Sequence, residues 1–237
     1  MEGNEKQRQS NESIVRPATK SKEKTIYVLL FQIMVHFIAI ALVLFITWHA
    51  QPGSSLFSWH PTLMIFGFGF FMFEAILIFS KSSSLIPSAK RETKVKYHWI
   101  LQFLAASCAV GGFLAIFINK NQRNKLHFVS WHGFLGGIAV FMAVFQACMG
   151  TSLLYPKLPI INMFKLAVLK KLHALSGTLI FVLSCLVIFL GFYSNWFVKN
   201  VGLYSVAWGL CAVCPIFFAA TVNNQVAQSY LYKKSQV

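Results

Sequence analysis

Charged residues are scarce in this chain of 237 residues. They make up 11% of the sequence, and only six of them are acidic. A soluble domain carries about 25% charged residues, so the deficit indicates that most of the surface does not face water. The chain also lacks the period-two alternation of apolar and polar residues that is typical of barrel strands. Its hydrophobic residues, 57% of the total, are instead gathered in long runs.

Six apolar runs are each long enough to cross a membrane, which takes about 20 residues. They cover approximately 26–48, 60–80, 97–118, 128–150, 171–193 and 202–222. Only helices and closed barrels satisfy the backbone in lipid, and short connections make neighbouring helices antiparallel. The sequence therefore predicts an all-α membrane protein with six transmembrane helices in one domain, residues 25–222.

The two ends of the chain are predicted to be cytosolic tails. Residues 1–24 contain too little apolar surface to fold, so we expect a disordered tail without a cleavable signal, and residues 223–237 form the second tail. With this orientation, 17 of the 21 basic residues lie on the cytosolic side, as the positive-inside rule requires. Attraction of these loops to anionic lipid accounts for the net charge of +15, so no nucleic-acid partner is expected.

Four histidines lie about one turn inside the ends of four consecutive runs, at His60, His98, His132 and His173. An ionisable or metal-binding side chain inside a bilayer indicates a functional site. Because helix direction alternates, His60 and His132 share one depth, and His98 and His173 share the other. Two imidazoles are a poor set for zinc, which takes four ligands, but they suit haem, whose porphyrin supplies four nitrogens. The pattern favours two haem sites in the central four-helix bundle, helices two to five.

A weak internal repeat relates the two halves of this bundle, with an offset of 72 to 75 residues. The matched stretches are Ser58-Trp59-His60 with Ser130-Trp131-His132, Glu74-Ala75 with Gln146-Ala147, and Lys96-Tyr97-His98 with Lys171-Leu172-His173. A duplicated helix hairpin relates its copies by a pseudo-twofold axis along the membrane normal. Each copy then contributes one histidine near each membrane face.

Other polar residues in the apolar runs are assigned less specific roles. We predict a buried hydrogen-bonding role for His36, and His49 or His127 are candidates for an outer substrate site. Glu74 must be protonated, paired with a cation or close to the cytosolic interface, and a proton-coupling role stays open. The five cysteines, including the Cys211-x-x-Cys214 spacing, are predicted to be structural.

The chain resembles the cytochrome b561 family, and within it the cytochrome b561 domain-containing proteins, from about residue 25 to residue 233. The stretches that carry the resemblance are Pro52–Pro61, His98-Trp99, Leu153–Leu158, Asn224-Gln225-Val226 and Tyr230-Leu231-Tyr232. The chain departs from the family pattern at Trp131, which precedes His132 where the family has a Ser-Trp pair after the histidine. The spacing of Lys94 and Lys96 before His98 also differs from that of the family's basic residues.

The resemblance implies two b-type haems, one held by His60 with His132 and the other by His98 with His173. It implies an ascorbate-dependent transmembrane reductase that takes electrons from cytosolic ascorbate. The expected acceptor on the other side is ferric iron in first place and monodehydroascorbate in second. Family members often form homodimers, and an endoplasmic-reticulum or vesicle membrane is favoured. The ascorbate-binding residues are predicted to be four lysines beside the cytosolic pair: Lys94, Lys96, Lys170 and Lys171.

Two other classes of function remain open from the sequence. A transporter or channel that uses the histidines for protons or metal ions predicts acids and broken helices near the midplane, for which Glu74 is the main support. A haem-bearing subunit that anchors a partner enzyme predicts an exposed docking surface.

Overall fold

Six long helices make up most of the computed structural model, which describes residues 26–27, 29–154 and 165–231. They are α1 (Leu29–Ala50), α2 (Trp59–Leu77), α3 (Arg91–Gln122), α4 (Trp131–Ser152), α5 (Leu166–Gly191) and α6 (Val206–Val226). All six are long and apolar enough to cross a membrane, and no strand occurs in the part of the chain that the structure describes. The predicted all-α fold with six transmembrane helices is confirmed.

The predicted runs and the observed helices differ mainly at their ends. The helix α3 begins at Arg91, six residues before the predicted run, because helical geometry continues through a polar first turn. The helix α6 ends at Val226 and continues as a π-helix over Ala227–Leu231, beyond the predicted boundary at residue 222. The predicted N-terminal tail, the connection between α4 and α5 at residues 155–164 and the last six residues lie outside the described residues.

Serine side chains fix the starts of two helices. Ser130 Oγ accepts a hydrogen bond from the Gly133 N–H at 3.1 Å at the start of α4. Ser205 Oγ accepts one from the Trp208 N–H at 3.1 Å at the start of α6. A serine in this position satisfies a backbone donor that the helix itself leaves unpaired. Because this hydrogen bond fixes the start of α4, His132 lies in the first turn of that helix.

The helix α2 is not regular along its length. A π-helix over Ile65–Met72 separates the α-helical turns Trp59–Met64 and Phe73–Leu77. Gly67 lies in this segment, where a Cβ would come within 3.0 Å of the Ala105 carbonyl oxygen of α3. The π-helix, which the apolar pattern did not predict, therefore lies at a close approach of two backbones. Such π-helical segments are frequently found at functional sites.

The helices α2, α3, α4 and α5 form a closed four-helix bundle, because each packs against the next and α5 returns to α2. The helix α6 packs outside this bundle against α5 and α2. Phe73 and Phe218 join α2 to α6 through stacked rings whose centroids are 4.4 Å apart. Large apolar side chains such as Phe37 and Leu179 lie on the outside and are about 70% exposed, as expected of a surface in contact with lipid.

Candidate metal centres

His60 and His132 lie together at one end of the four-helix bundle, in the first turns of α2 and α4. Their ring centroids are 6.1 Å apart and the ring planes are nearly perpendicular, at 86°. His60 Nδ1 donates to the Gly112 carbonyl at 3.0 Å, and His132 Nδ1 donates to the Val187 carbonyl at 2.9 Å. With Nδ1 engaged in this way, the ring orientation is fixed and Nε2 is the nitrogen available to a metal.

His98 and His173 form an equivalent pair at the other end of the bundle, on α3 and α5. Their ring centroids are 6.3 Å apart with an interplanar angle of 76°. His98 Nδ1 donates to the Ala75 carbonyl of α2 at 2.8 Å. His173 Nδ1 instead lies 3.1 Å from Nε2 of Gln146 on α4. The structure therefore brings the four predicted histidines together in the two predicted pairs, and their role as ligands stays a prediction.

The spacing of each pair suits one metal ion between two imidazoles. An imidazole nitrogen binds a transition metal at about 2 Å, so two rings on opposite sides of one ion have centroids roughly 6 Å apart. In the described part of the chain, no cluster of three or more His, Cys, Asp or Glu side chains could hold a metal. The two-imidazole sets thus fit a metal that brings its other ligands with it, as haem iron does.

A cavity of about 250 Å³ adjoins the His60–His132 pair. Gly133, Gly136 and Gly137 of α4 line it together with His60 and His132, and such small residues leave room for a flat macrocycle. Lys120 and His127 are also part of its wall, whereas His49 is not. Of the two histidines predicted as candidates for an outer substrate site, only His127 lies at this cavity.

Two glycines allow the histidine rings to pack against the neighbouring helix. A Cβ on Gly191 of α5 would lie 3.1 Å from His132 Cε1, and a Cβ on Gly150 of α4 would lie 3.0 Å from His173 Cε1. Both distances are shorter than ordinary van der Waals contacts. The α4–α5 pair therefore holds one ring at each end against a glycine of the opposite helix.

The four predicted ascorbate lysines lie at the end of the bundle that holds His98 and His173. Lys94 is half-buried and its Nζ donates to the Pro87 carbonyl at 2.9 Å. Lys170 is also half-buried, whereas Lys96 and Lys171 are exposed. The structure thus places all four near one bundle end, and their function stays a prediction.

Comparison with known proteins identifies this arrangement. The family model described as "Eukaryotic cytochrome b561" matches residues 59–198, which contain all four paired histidines. The chain belongs to the cytochrome b561 family. Haem b is therefore the expected type of cofactor, in agreement with the fit of the two histidine pairs. The family also makes the chain a multi-pass membrane protein of the transmembrane-reductase type.

Individual members of the cytochrome b561 family are similar over most of the chain. "Transmembrane reductase CYB561D2" of Homo sapiens is 42% identical over 199 residues, which is 84% of this chain and 88% of the relative. "Probable transmembrane reductase CYB561D1" of Mus musculus is 36% identical over 85% of this chain and 86% of the relative. "Lysosomal membrane ascorbate-dependent ferrireductase CYB561A3" of Mus musculus is 32% identical over 54% of this chain and 52% of the relative. These names support an oxidoreductase.

The residues around the histidines were largely missed by sequence reasoning. Backbone carbonyls at Ala75, Gly112 and Val187 leave no signal in side-chain chemistry. The glycines Gly150 and Gly191 are spaced like many glycines of transmembrane helices. The internal repeat aligns Gln146 with Glu74, and no other sequence feature singles Gln146 out.

Proposed function

We propose that this protein is a di-haem transmembrane reductase that passes single electrons from cytosolic ascorbate to an acceptor on the opposite side of the membrane. In this proposal His98 and His173 hold one haem b on the cytosolic side, and His60 and His132 hold a second near the outer face. The observation that carries the proposal is the presence of two imidazole pairs with nearly equal spacing, 6.1 and 6.3 Å, at the two ends of one bundle.

The depth of the two pairs supports a path across the bilayer. His60 and Ala75, whose carbonyl binds His98, are fifteen residues apart on α2. A helix rises about 1.5 Å per residue, so the two pairs are roughly 20 Å apart along the helix axis. This separation spans much of a hydrocarbon core about 30 Å thick, which suits transfer between sites near its two faces.

The histidines themselves determine which chemistry is favoured. Haem held there would supply one-electron redox chemistry. Because each pair would give both of its imidazoles to one iron, no coordination position would be left for a substrate, so each pair favours electron transfer over oxygen activation. The Nδ1–H groups of His60, His98 and His132 donate to backbone carbonyls, which holds these rings in place during oxidation and reduction.

Ascorbate is the proposed electron donor because a relative that is 32% identical carries the words "ascorbate-dependent ferrireductase" in its name. Ascorbate is an anion at neutral pH, and four lysines lie at the end of the bundle that holds His98 and His173. We propose that Lys94, Lys96, Lys170 and Lys171 attract it there. Both termini and this end of the bundle are then cytosolic, in accordance with the positive-inside rule.

The charges at the opposite end of the bundle bear on the electron acceptor. The sequence has no acidic residue after Glu92, so the loops beyond α3 carry only basic charges. Lys120 and His127 lie in the wall of the cavity beside His60 and His132. The Lys120 ammonium group suits an anionic acceptor, so we propose ferric iron as an anionic chelate first and monodehydroascorbate, itself an anion, second.

The host membrane and the oligomeric state are two further proposals. We place the protein in an endoplasmic-reticulum or vesicle membrane by resemblance to its family. A homodimer within that membrane would form through the lipid-facing sides of the helices, where large apolar side chains such as Phe37 and Leu179 are exposed.

Purified protein in sealed vesicles provides the test. Vesicles loaded with ascorbate are supplied outside with ferric citrate, and ferrous iron is measured for the intact chain and for His173→Ala. We expect the intact protein to contain two haems reducible by ascorbate and to reduce the iron, and the variant to lose most of the rate. A colourless protein, or equal rates for both chains, would contradict the proposal, and a colourless protein that moves protons or metal ions would favour a transporter.

A further inference from the structure

His173 differs from the other three paired histidines in the group that contacts its Nδ1. His60, His98 and His132 each contact a backbone carbonyl of the neighbouring helix. His173 contacts the side-chain amide of Gln146, whose Nε2 lies 3.1 Å from the ring nitrogen and 2.7 Å from the His173 carbonyl oxygen. In the internal repeat, Ala147 corresponds to Ala75, whose carbonyl accepts from His98. The second copy therefore contacts its histidine through the Gln146 side chain, whereas the first copy does so through a backbone carbonyl.

The hydrogen positions implied by these contacts do not suit metal binding as they stand. A Gln146 NH2 group that donates to Nδ1 requires Nδ1 to be an acceptor, which places the ring hydrogen on Nε2. A neutral imidazole that binds a metal through Nε2 carries its hydrogen on Nδ1 and donates it to a nearby acceptor. When His173 binds iron, Gln146 must therefore present Oε1 to the ring.

A half-turn of the amide gives the His173 ring its acceptor and removes one existing hydrogen bond. Gln146 Nε2 now donates to the His173 carbonyl at 2.7 Å, so Oε1 would face that oxygen after the turn, and the amide must also shift away from it. Gln146 Oε1 then accepts from His173 Nδ1–H, and Nε2 faces Ser176 Oγ, which lies 3.0 Å from the amide. The Ser176 hydroxyl donates to the Leu172 carbonyl at 2.8 Å, a contact that it already makes. Gly177 leaves space for the amide, because a Cβ there would lie 3.1 Å from Gln146 Nε2.

We propose that Gln146 is the positioning residue for His173 and that its amide sets the donor strength of this ligand separately from the other three. The inference rests on the proposed haem ligation by His173. A hydrogen-bond acceptor on Nδ1 increases the basicity of a metal-bound imidazole. A more basic ligand stabilises ferric iron, so the acceptor lowers the reduction potential of the haem at this end of the bundle.

Redox titration of the purified holoprotein with Gln146→Leu and Gln146→Glu tests this role. Leucine removes the acceptor, so we expect the potential of one haem to rise and the affinity for that haem to fall about 10-fold or more. Glutamate supplies a stronger acceptor and a negative charge, so the same potential should fall. The second potential, assigned by its loss in His132→Ala, should stay unchanged, and the electron paramagnetic resonance signal should change for one haem only.

Two further variants make the outcome decisive. Gln228→Leu makes the same chemical change on the segment after α6 and should leave both potentials unchanged. Ser176→Ala removes the partner of the amide and should shift the same potential as Gln146→Leu, by less, which preserves the test if the glutamate variant does not fold. Unchanged potentials in Gln146→Leu, shifts of the same sign for leucine and glutamate, or equal shifts of both haems would overturn the inference. A wild-type protein without two haems would instead refute the proposed function.

Discussion

His36 Nδ1 lies 2.8 Å from Glu74 Oε1 in a buried contact between α1 and α2. His36 Nε2 donates to the Ser83 carbonyl at 2.9 Å, so Nδ1 and the Glu74 carboxyl group share one proton. The sequence left three options for Glu74, and the structure gives it a partner on the first helix. This contact ties α1, which lies outside the four-helix bundle, to the helix that carries His60.

Removal of one member of this pair should destabilise the protein. In Glu74→Leu, His36 Nδ1 is left buried without a partner, and we expect a loss of about 3 kcal/mol of stability. The double variant His36→Leu/Glu74→Leu should recover part of the loss, because no unpaired polar group remains. Thermal unfolding in detergent measures both, with Glu92→Leu, an exposed glutamate on α3, as the control. A Glu74→Leu variant as stable as wild type would contradict a structural role for the pair.

Haem content should fall by half when one histidine pair is broken. In His98→Ala the pair with His173 loses one of its two proposed ligands, and in His132→Ala the pair with His60 does. We expect one haem per chain in each variant, against two in wild type, because the pairs lie roughly 20 Å apart along the helices. Quantitative haem extraction relative to protein checks the ratio. Two haems in either variant would mean that the altered histidine is not a ligand.

Gly191→Ala should disturb the His60–His132 pair without disrupting α5. The added methyl group would lie 3.1 Å from His132 Cε1, so the ring must move from its position opposite His60. We expect weaker haem binding and a changed absorption band for one haem. Gly209→Ala is the matched control, since an added Cβ there meets no described atom within 4 Å, and alanine favours a helix over glycine by about 1 kcal/mol. Equal haem spectra for the two variants would argue against a tight site at Gly191.

Charge reversal at Lys120 should slow reduction of an anionic acceptor. Lys120 lies in the wall of the cavity beside His60 and His132, whereas Lys199 is exposed and lies outside that wall. In Lys120→Glu we expect the rate with ferric citrate to fall about 10-fold at low salt, through loss of electrostatic attraction, and the deficit to shrink at high salt. Lys199→Glu should have a smaller effect. A rate that is insensitive to both variants and to salt would count against an anionic acceptor.

The fold was largely predictable because its main signal lies along the sequence. A backbone can cross a bilayer only as a helix or as part of a closed barrel, and about 20 apolar residues is the length of a spanning helix. The six runs therefore predicted six helices. The spacing within each helix also fixed the depth of His60, His98, His132 and His173. The π-helix within α2 was not predicted, because Ile65–Met72 is apolar in every direction and its irregularity arises where Gly67 meets the backbone of α3.

The sequence by itself determined the number of helices, the depth of each histidine and, through the repeat, which histidines belong together. These properties depend on distance along one chain, which the order of residues sets. Only the tertiary structure decided that Gln146 contacts His173, that Gly191 lies against His132 and that Glu74 pairs with His36. These contacts join different helices, and their geometry depends on how the helices pack and rotate against one another, which no spacing within a single helix specifies.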